Sequence, residues 1–167
     1  MTISESLLPE YDQETASTRR LLERVPDGRL SWSPHPKSMP LGALATHLAN
    51  LPQWTVYTLE RTSLDVAPPG EKPMRAEPVT SGREALAKFD QNVAAGRKAI
   101  EKATDADWAV SWSLLAAGQE IFTIPRLAAV RSFVLNHLIH HRAQLGVYLR
   151  LNDVPLPQIY GPTADES

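Results

Sequence analysis

The sequence predicts an all-α fold, a four-helix bundle with a short β-hairpin before the last helix. Three observations carry that reading. Four segments of roughly 20 residues each repeat their apolar side chains with the helical period. The 14 prolines fall mostly between those segments. The chain, 167 residues long, can bury a core of its own without a disulfide or structural metal, so residues 1–167 read as a single domain.

The first helix is expected from about Ser4 to Val25. Leu7, Tyr11, Thr18, Leu22 and Val25 share one stripe, while Glu5, Gln13, Arg19 and Glu23 lie mostly outside it. Pro26-Asp27-Gly28 ends it, and Pro34 and Pro36 keep the following linker from continuing as helix. The second helix is expected from about Pro40 to Arg61, with Ser38 as N-cap and Pro40 in the first turn. Its apolar face is Leu44, Leu48, Leu51, Thr55 and Leu59. Pro52 lies inside this run and is expected to bend it by removing one backbone hydrogen bond, two shorter helices being the alternative.

A loop from about Thr62 to Thr80, with prolines at 68, 69, 73 and 78, has the length of a crossover. The third helix opens on a capping box, Ser81-Gly82-Arg83-Glu84. It carries Leu86, Phe89, Val93, Ile100 and Ala103 on one stripe and ends near Lys102–Thr104. Trp108 to Trp112 alternates partly like a strand, Ala117-Gly118-Gln119 suits a turn, and Ile121 to Ile124 suits a returning arm. The fourth helix runs from about Arg126 to Leu151. Asn152 stands at C′, and Pro155 and Pro157 forbid continuation into an irregular tail, Val154 to Ser167.

Composition excludes several functions. With 17 basic and 19 acidic residues the formal net charge is −2, against the dense basic face of a duplex nucleic-acid binder. The absence of cysteine removes thiolate nucleophiles, dithiol redox chemistry and cysteine-bearing zinc sites. Any metal must be held by nitrogen and oxygen. Met1 to Asp12 has no basic cluster ahead of an apolar core, so it does not read as a signal peptide. No apolar stretch approaches the roughly 20 residues of a membrane span. The expectation is a soluble, cytoplasmic protein with neither nucleic-acid nor membrane partner.

Three of the five histidines stand close together, His137, His140 and His141. With Leu127 at 0° and about 100° per residue, Val130, Val134, Leu145 and Tyr148 place the apolar face between about 300° and 0°. His137 at about 280° and His141 at about 320° straddle that face, while His140 at about 220° lies on its flank. Partners at i and i+4 have Cβ atoms about 5–6 Å apart, close enough for two imidazoles to reach one ion. The competing reading is that each is a core histidine satisfied by a hydrogen bond. His47, beside Leu44, Leu51 and Trp54 on the second helix, adds a third inward imidazole from a different element. Three imidazoles that leave positions open to water are the pattern of a catalytic metal site. His35 sits in a proline-flanked loop and is expected to be solvated.

The stretch Leu30-Ser31-Trp32-Ser33-Pro34 and the later "HLANLPQW" resemble the front half of the DinB/YfiT-like family. The run "NHLIHHRAQLGVYLRLNDVPLP", with the ending "IYGPTADE", resembles its back half. The resemblance implies a four-helix scaffold and a divalent metal ion bound by one histidine of the second helix and two at i, i+4 in the last. Here those are metal ligands His47, His137 and His141. It also implies homodimers. The family includes metal-dependent thiol S-transferases, and some relatives are regarded as metal-dependent hydrolases.

No HExxH, GxSxG, P-loop or dinucleotide fingerprint is present, so the metal site is the one chemical signal above background. The reading is a divalent-metal enzyme on a small-molecule substrate, by thiol transfer with a low-molecular-weight thiol or by hydrolysis. The alternative is a non-catalytic, dimeric bundle that binds metal or ligand. Zinc and nickel lead, with iron and manganese as alternatives, because three imidazole nitrogens do not separate these ions. Asn50, Trp54, Gln144 and Tyr148 are polar candidates near the site, Glu120 is a weaker candidate acid or base, and Arg142, at about 60°, is expected in a surface or dimer contact.

Overall fold

Helix α1 (Ile3–Leu22) begins at Thr2, whose hydroxyl accepts from the Glu5 backbone N–H while the Glu5 carboxylate accepts from the Thr2 N–H. In this computed structural model, which describes residues 1–166, the stripe Leu7, Tyr11, Thr18, Leu22 and Val25 is buried throughout. The second expected helix is two, α2 (Leu41–Asn50) and α3 (Gln53–Glu60). Leu51 and Pro52 keep helical dihedrals between them, but Pro52 has no N–H to give, and the Trp54 and Thr55 amides bond only three residues back. Ser38 does not cap α2. The helix starts after Pro40, and its first N–H groups, Leu41 and Gly42, donate to the Trp32 and Leu30 carbonyls, each at 2.8 Å.

The loop after α3 contributes a strand that carries no period-two signal, β1 (Ser63–Asp65). It then crosses over α2, pinned where the Val79 N–H donates to Thr46 Oγ1 at 3.0 Å. Helix α4 (Gly82–Lys102) ends where expected, and its Ser81 hydroxyl accepts from the Glu84 N–H. The capping box itself is incomplete, because the Glu84 carboxylate turns to the Thr80 N–H and hydroxyl instead.

Trp108 lies not on a strand but in a short helix, α5 (Asp105–Ala109), capped by Thr104. Its indole N–H donates to Ser4 Oγ at 2.9 Å, which fixes the helix against α1. The hairpin follows as β2 (Ser111–Ala116) and β3 (Gln119–Pro125), antiparallel, with Trp112 opposite Ile124. Ala117 and Gly118 both have positive φ, 52° and 75°, as a two-residue hairpin turn of the I′ kind requires. β1 pairs in parallel on the other side of β2, completing a three-stranded sheet.

From Arg126 to Leu151 the chain is one helical rod of changing pitch. It comprises α6 (Arg126–Ala129), a π-helical stretch (Val130–Asn136) and α7 (His137–Leu151). α4 packs on α1, α2 and α3, and α7 packs on α1 and α2. The fold is thus mostly helical with a small sheet, and four uninterrupted helices is too simple a description of it. Among the described residues the tail has no regular structure, as expected, yet it is tied down by ion pairs of Asp165 with Arg150 and Glu166 with Arg24; Ser167 lies outside the described residues. No helix among the described residues is long and apolar enough to cross a membrane.

Candidate metal centre

The π-helical stretch decides how the last helix presents its side chains. Pairing to the fifth residue turns the chain less per residue than α-helical pairing, so everything after it rotates relative to Leu127. The buried residues of α7 are Leu138, Arg142, Leu145, Tyr148 and Leu149, with Tyr148 on the side of the histidines. Arg142, expected on the surface, is therefore in the core, 3% exposed, with Nη1 2.6 Å from Glu14 Oε2. His137 and His141 lie at the edge of the stripe, half-buried, rather than at its middle. Their i, i+4 relation survives because both follow the π stretch.

His47 on α2 faces them. Its Nε2 lies 3.2 Å from His137 Nε2, which in turn lies 2.9 Å from His141 Nε2. One ligand atom from each of the three residues fits within 4.8 Å of the others. A tetrahedral ion with bonds of about 2.0–2.1 Å spaces its nitrogens by about 3.3 Å, which is the scale of this cluster.

Proton placement on one of the rings follows from its partner. His141 Nδ1 is 2.6 Å from Gln144 Oε1, an atom that can only accept, so the ring proton is on Nδ1 and Nε2 carries a lone pair. That lone pair faces His137 Nε2 at 2.9 Å, and His47 Nε2 lies 3.2 Å from that same nitrogen. Such an arrangement suits a shared cation and fits the donor chemistry of a divalent ion held by imidazoles.

The electrostatics agree. Burial first, then the proximity of His141 and His137, lowers the His47 pKa to about 4. His137 is lowered by burial and by His141, with the Phe133 backbone opposing. His141 is lowered by burial while its bond to Gln144 opposes. All three are lowered from the ordinary histidine value, which favours the neutral ring that a metal ligand needs.

A cleft of about 290 Å³ opens beside His47, lined also by Asn50, Trp54, Tyr57 and Arg75. Of the polar candidates, Asn50 and Trp54 line it. Asn50 donates back to the Thr46 carbonyl, and Gln144 bridges His141 and His140. Tyr148 is instead packed edge-on against Trp32, 5.5 Å between ring centroids. Glu120 is exposed on β3, paired with Leu115, and does not line the cleft. His140 is exposed outside the cluster, and exposed His35 accepts from the Lys37 N–H through Nδ1. Sequence reasoning missed Tyr57 and Arg75. Arg75 lies in the crossover, which has no period to read, and only the return of that loop over α2 brings it to the cleft.

The sequence profile of the DinB superfamily matches residues 10–145. No curated protein sequence matches the chain. Among solved structures, a DinB-like protein from Bacillus cereus is similar with a TM-score of 0.73 at 23% identity, covering 95% of this chain and 98% of that one. A DinB-like protein from Bacillus subtilis is similar with a TM-score of 0.66 at 14% identity, covering 96% of this chain and 98% of that one. Those structures share the fold, and the sequence match carries the assignment: the chain belongs to the DinB superfamily.

Proposed function

We propose that His47, His137 and His141 bind one divalent metal ion and that the protein is a metal-dependent enzyme acting on a small molecule. The observation that carries the reading is the convergence of three imidazole nitrogens, His137 Nε2 standing 3.2 Å from His47 Nε2 and 2.9 Å from His141 Nε2. The ion is zinc or nickel, with iron or manganese as the other imidazole-compatible choices. When bound, it supplies Lewis acidity, lowering the pKa of a coordinated water to about 7 or holding an incoming thiolate.

The chain's own residues do the rest. Three neutral nitrogens leave the ion's charge uncompensated, which favours an anionic nucleophile. Gln144 holds the His141 ring in orientation from behind, as outer partners of metal-ligating histidines do. Trp54 and Tyr57 wall the cleft beside His47 and limit water access. Transfer of a low-molecular-weight thiol and hydrolysis both suit this layout, in a cytoplasmic homodimer that binds neither nucleic acid nor membrane.

The test is elemental analysis of tag-free protein beside His47→Ala, His137→Ala and His140→Ala. Near-stoichiometric metal, lost in the first two variants and kept in the third, supports the site and directs a turnover screen with that ion. Wild-type protein that refuses zinc, nickel, iron and manganese on titration overturns the reading.

A further inference from the structure

We propose that Arg75 is the recognition residue for a carboxylate on the substrate, held in the cleft beside His47; this rests on the metal-centre reading for its chemistry but not for its binding. Arg75 comes from the crossover loop and reaches a cleft whose lining contains no Asp or Glu. Its guanidinium is the only formal charge there, and it is exposed. Among the described residues seven of the twelve arginines make ion pairs, and Arg75 is one of the five that do not. The adjoining cleft, which shares Arg75 and Asn50, carries Glu77, Glu84 and Lys88, and neither of its glutamates forms an ion pair with Arg75.

The chemistry of the other walls narrows the ligand. An arginine fork matches the two oxygens of a carboxylate. Trp54 and Tyr57 stand edge to face, ring centroids 6.4 Å apart and planes at 71°, with Arg61 over the Tyr57 ring, so the apolar ring surface on this wall comes first from Trp54. Asn50 and Gln53 add amide groups at the same wall. The volume, about 290 Å³, admits a compact small molecule and not a polymer. A carboxylate-bearing molecule with a flat apolar part fits all of these at once. With its carboxylate on Arg75, its remaining body extends along the aromatic wall toward His47, where the reaction is proposed to occur.

Phenylacetate serves as the probe, with phenylacetamide as the uncharged isostere and inorganic phosphate as the competing anion. Binding is measured calorimetrically to chelator-treated and to zinc-titrated protein, in wild type, Arg75→Gln and Arg75→Lys. The expected result in chelated protein is that phenylacetate binds better than phenylacetamide. Arg75→Gln should cost it about tenfold or more, the scale of a lost charge-assisted fork, and Arg75→Lys should restore part of that. Equal affinity of wild type and Arg75→Gln for phenylacetate overturns the inference, whatever the metal does. Preference for phosphate over phenylacetate overturns the carboxylate assignment. If the chelated protein shows the Arg75 dependence but no metal binds on titration, the subsite stands and the metal-enzyme reading falls alone.

Discussion

Gln144 Oε1 accepts from His141 Nδ1 at 2.6 Å, and that bond decides which nitrogen of His141 is free to bind a metal. The same amide reaches exposed His140, with Gln144 Nε2 3.2 Å from His140 Nε2. One side chain thus orients the inner histidine and is itself braced by the outer one. Replacing Gln144 by Leu should weaken zinc affinity by about 10–100-fold, the usual cost of removing an outer-shell partner, with the fold unchanged. Competition against a chromophoric chelator measures it. Gln144→Glu, which keeps an acceptor, should retain most of the affinity, and equal affinities across all three proteins would remove Gln144 from the site.

Acid should destabilise the metal-free protein through the same cluster. His47 is held neutral in the fold down to about pH 4 by burial and by its histidine neighbours, against an ordinary value of 6.5. Between those pH values the unfolded chain binds a proton that the folded chain does not, so stability falls as pH drops through that window. His137 and His141, lowered for related reasons, act in the same direction. Denaturant midpoints of chelated protein from pH 8 to pH 4 should decline across the window, and His47→Gln should flatten the decline. A variant with the wild-type slope would assign the acid sensitivity elsewhere.

Much of this was legible before the structure. The last helix has the bounds that Arg126, Leu151 and the following prolines indicate, and the pairing of His137 with His141 needs only their spacing. His47 joining them follows from its inward place on α2. The errors share a cause, since each depends on a backbone state that side-chain pattern does not encode. The π stretch between Val130 and Asn136 rotates α7 and carries Arg142 into the core. β1 forms because β2 offers it an edge, not because Ser63-Leu64-Asp65 has strand character. Pro52 interrupts the second helix where a bend was expected, because the residues after it close three-residue turns. Arg75 and Tyr57 reach one cleft through the path of the crossover, which is a tertiary fact.

Gly96 on α4 is a place where one methyl group should matter. A Cβ there would collide with the Tyr11 hydroxyl and lie 3.0 Å from the Pro52 carbonyl oxygen. Tyr11 is fully buried with its hydroxyl donating to the Val93 carbonyl at 3.3 Å, so it cannot swing aside without leaving that bond. Pro52 is backbone at the α2–α3 junction and can give less. Gly96→Ala gains helix propensity, yet overpacking should win and lower stability by about 1–3 kcal/mol. Thermal or denaturant unfolding checks the sign. A stabilised variant would show that the α1–α4 contact is looser than these distances state.

The core ion pair between α1 and α7 supplies the last test. Arg142 donates through Nη1 to the Glu14 backbone carbonyl at 3.1 Å and stands 2.6 Å from the Glu14 carboxylate. The tail closes the group: Tyr160 donates to Glu14 Oε2 at 2.7 Å and accepts from Arg142 Nη2. Both charges are nearly inaccessible, with side chains 3% and 9% exposed. Arg142→Met strands a buried carboxylate and should cost about 3–5 kcal/mol, whereas Arg142→Met with Glu14→Leu strands no charge and should recover much of that loss. Tyr160→Phe removes one hydrogen bond from the group and should cost about 0.5–1.5 kcal/mol. Denaturant unfolding of the four proteins measures all three differences. A double variant no more stable than Arg142→Met alone would mean that shape, not charge, sets the cost at this junction. Zinc stoichiometry should stay unchanged in every folded variant, because the neighbouring ring, His141, takes its orientation from Gln144 and not from Arg142.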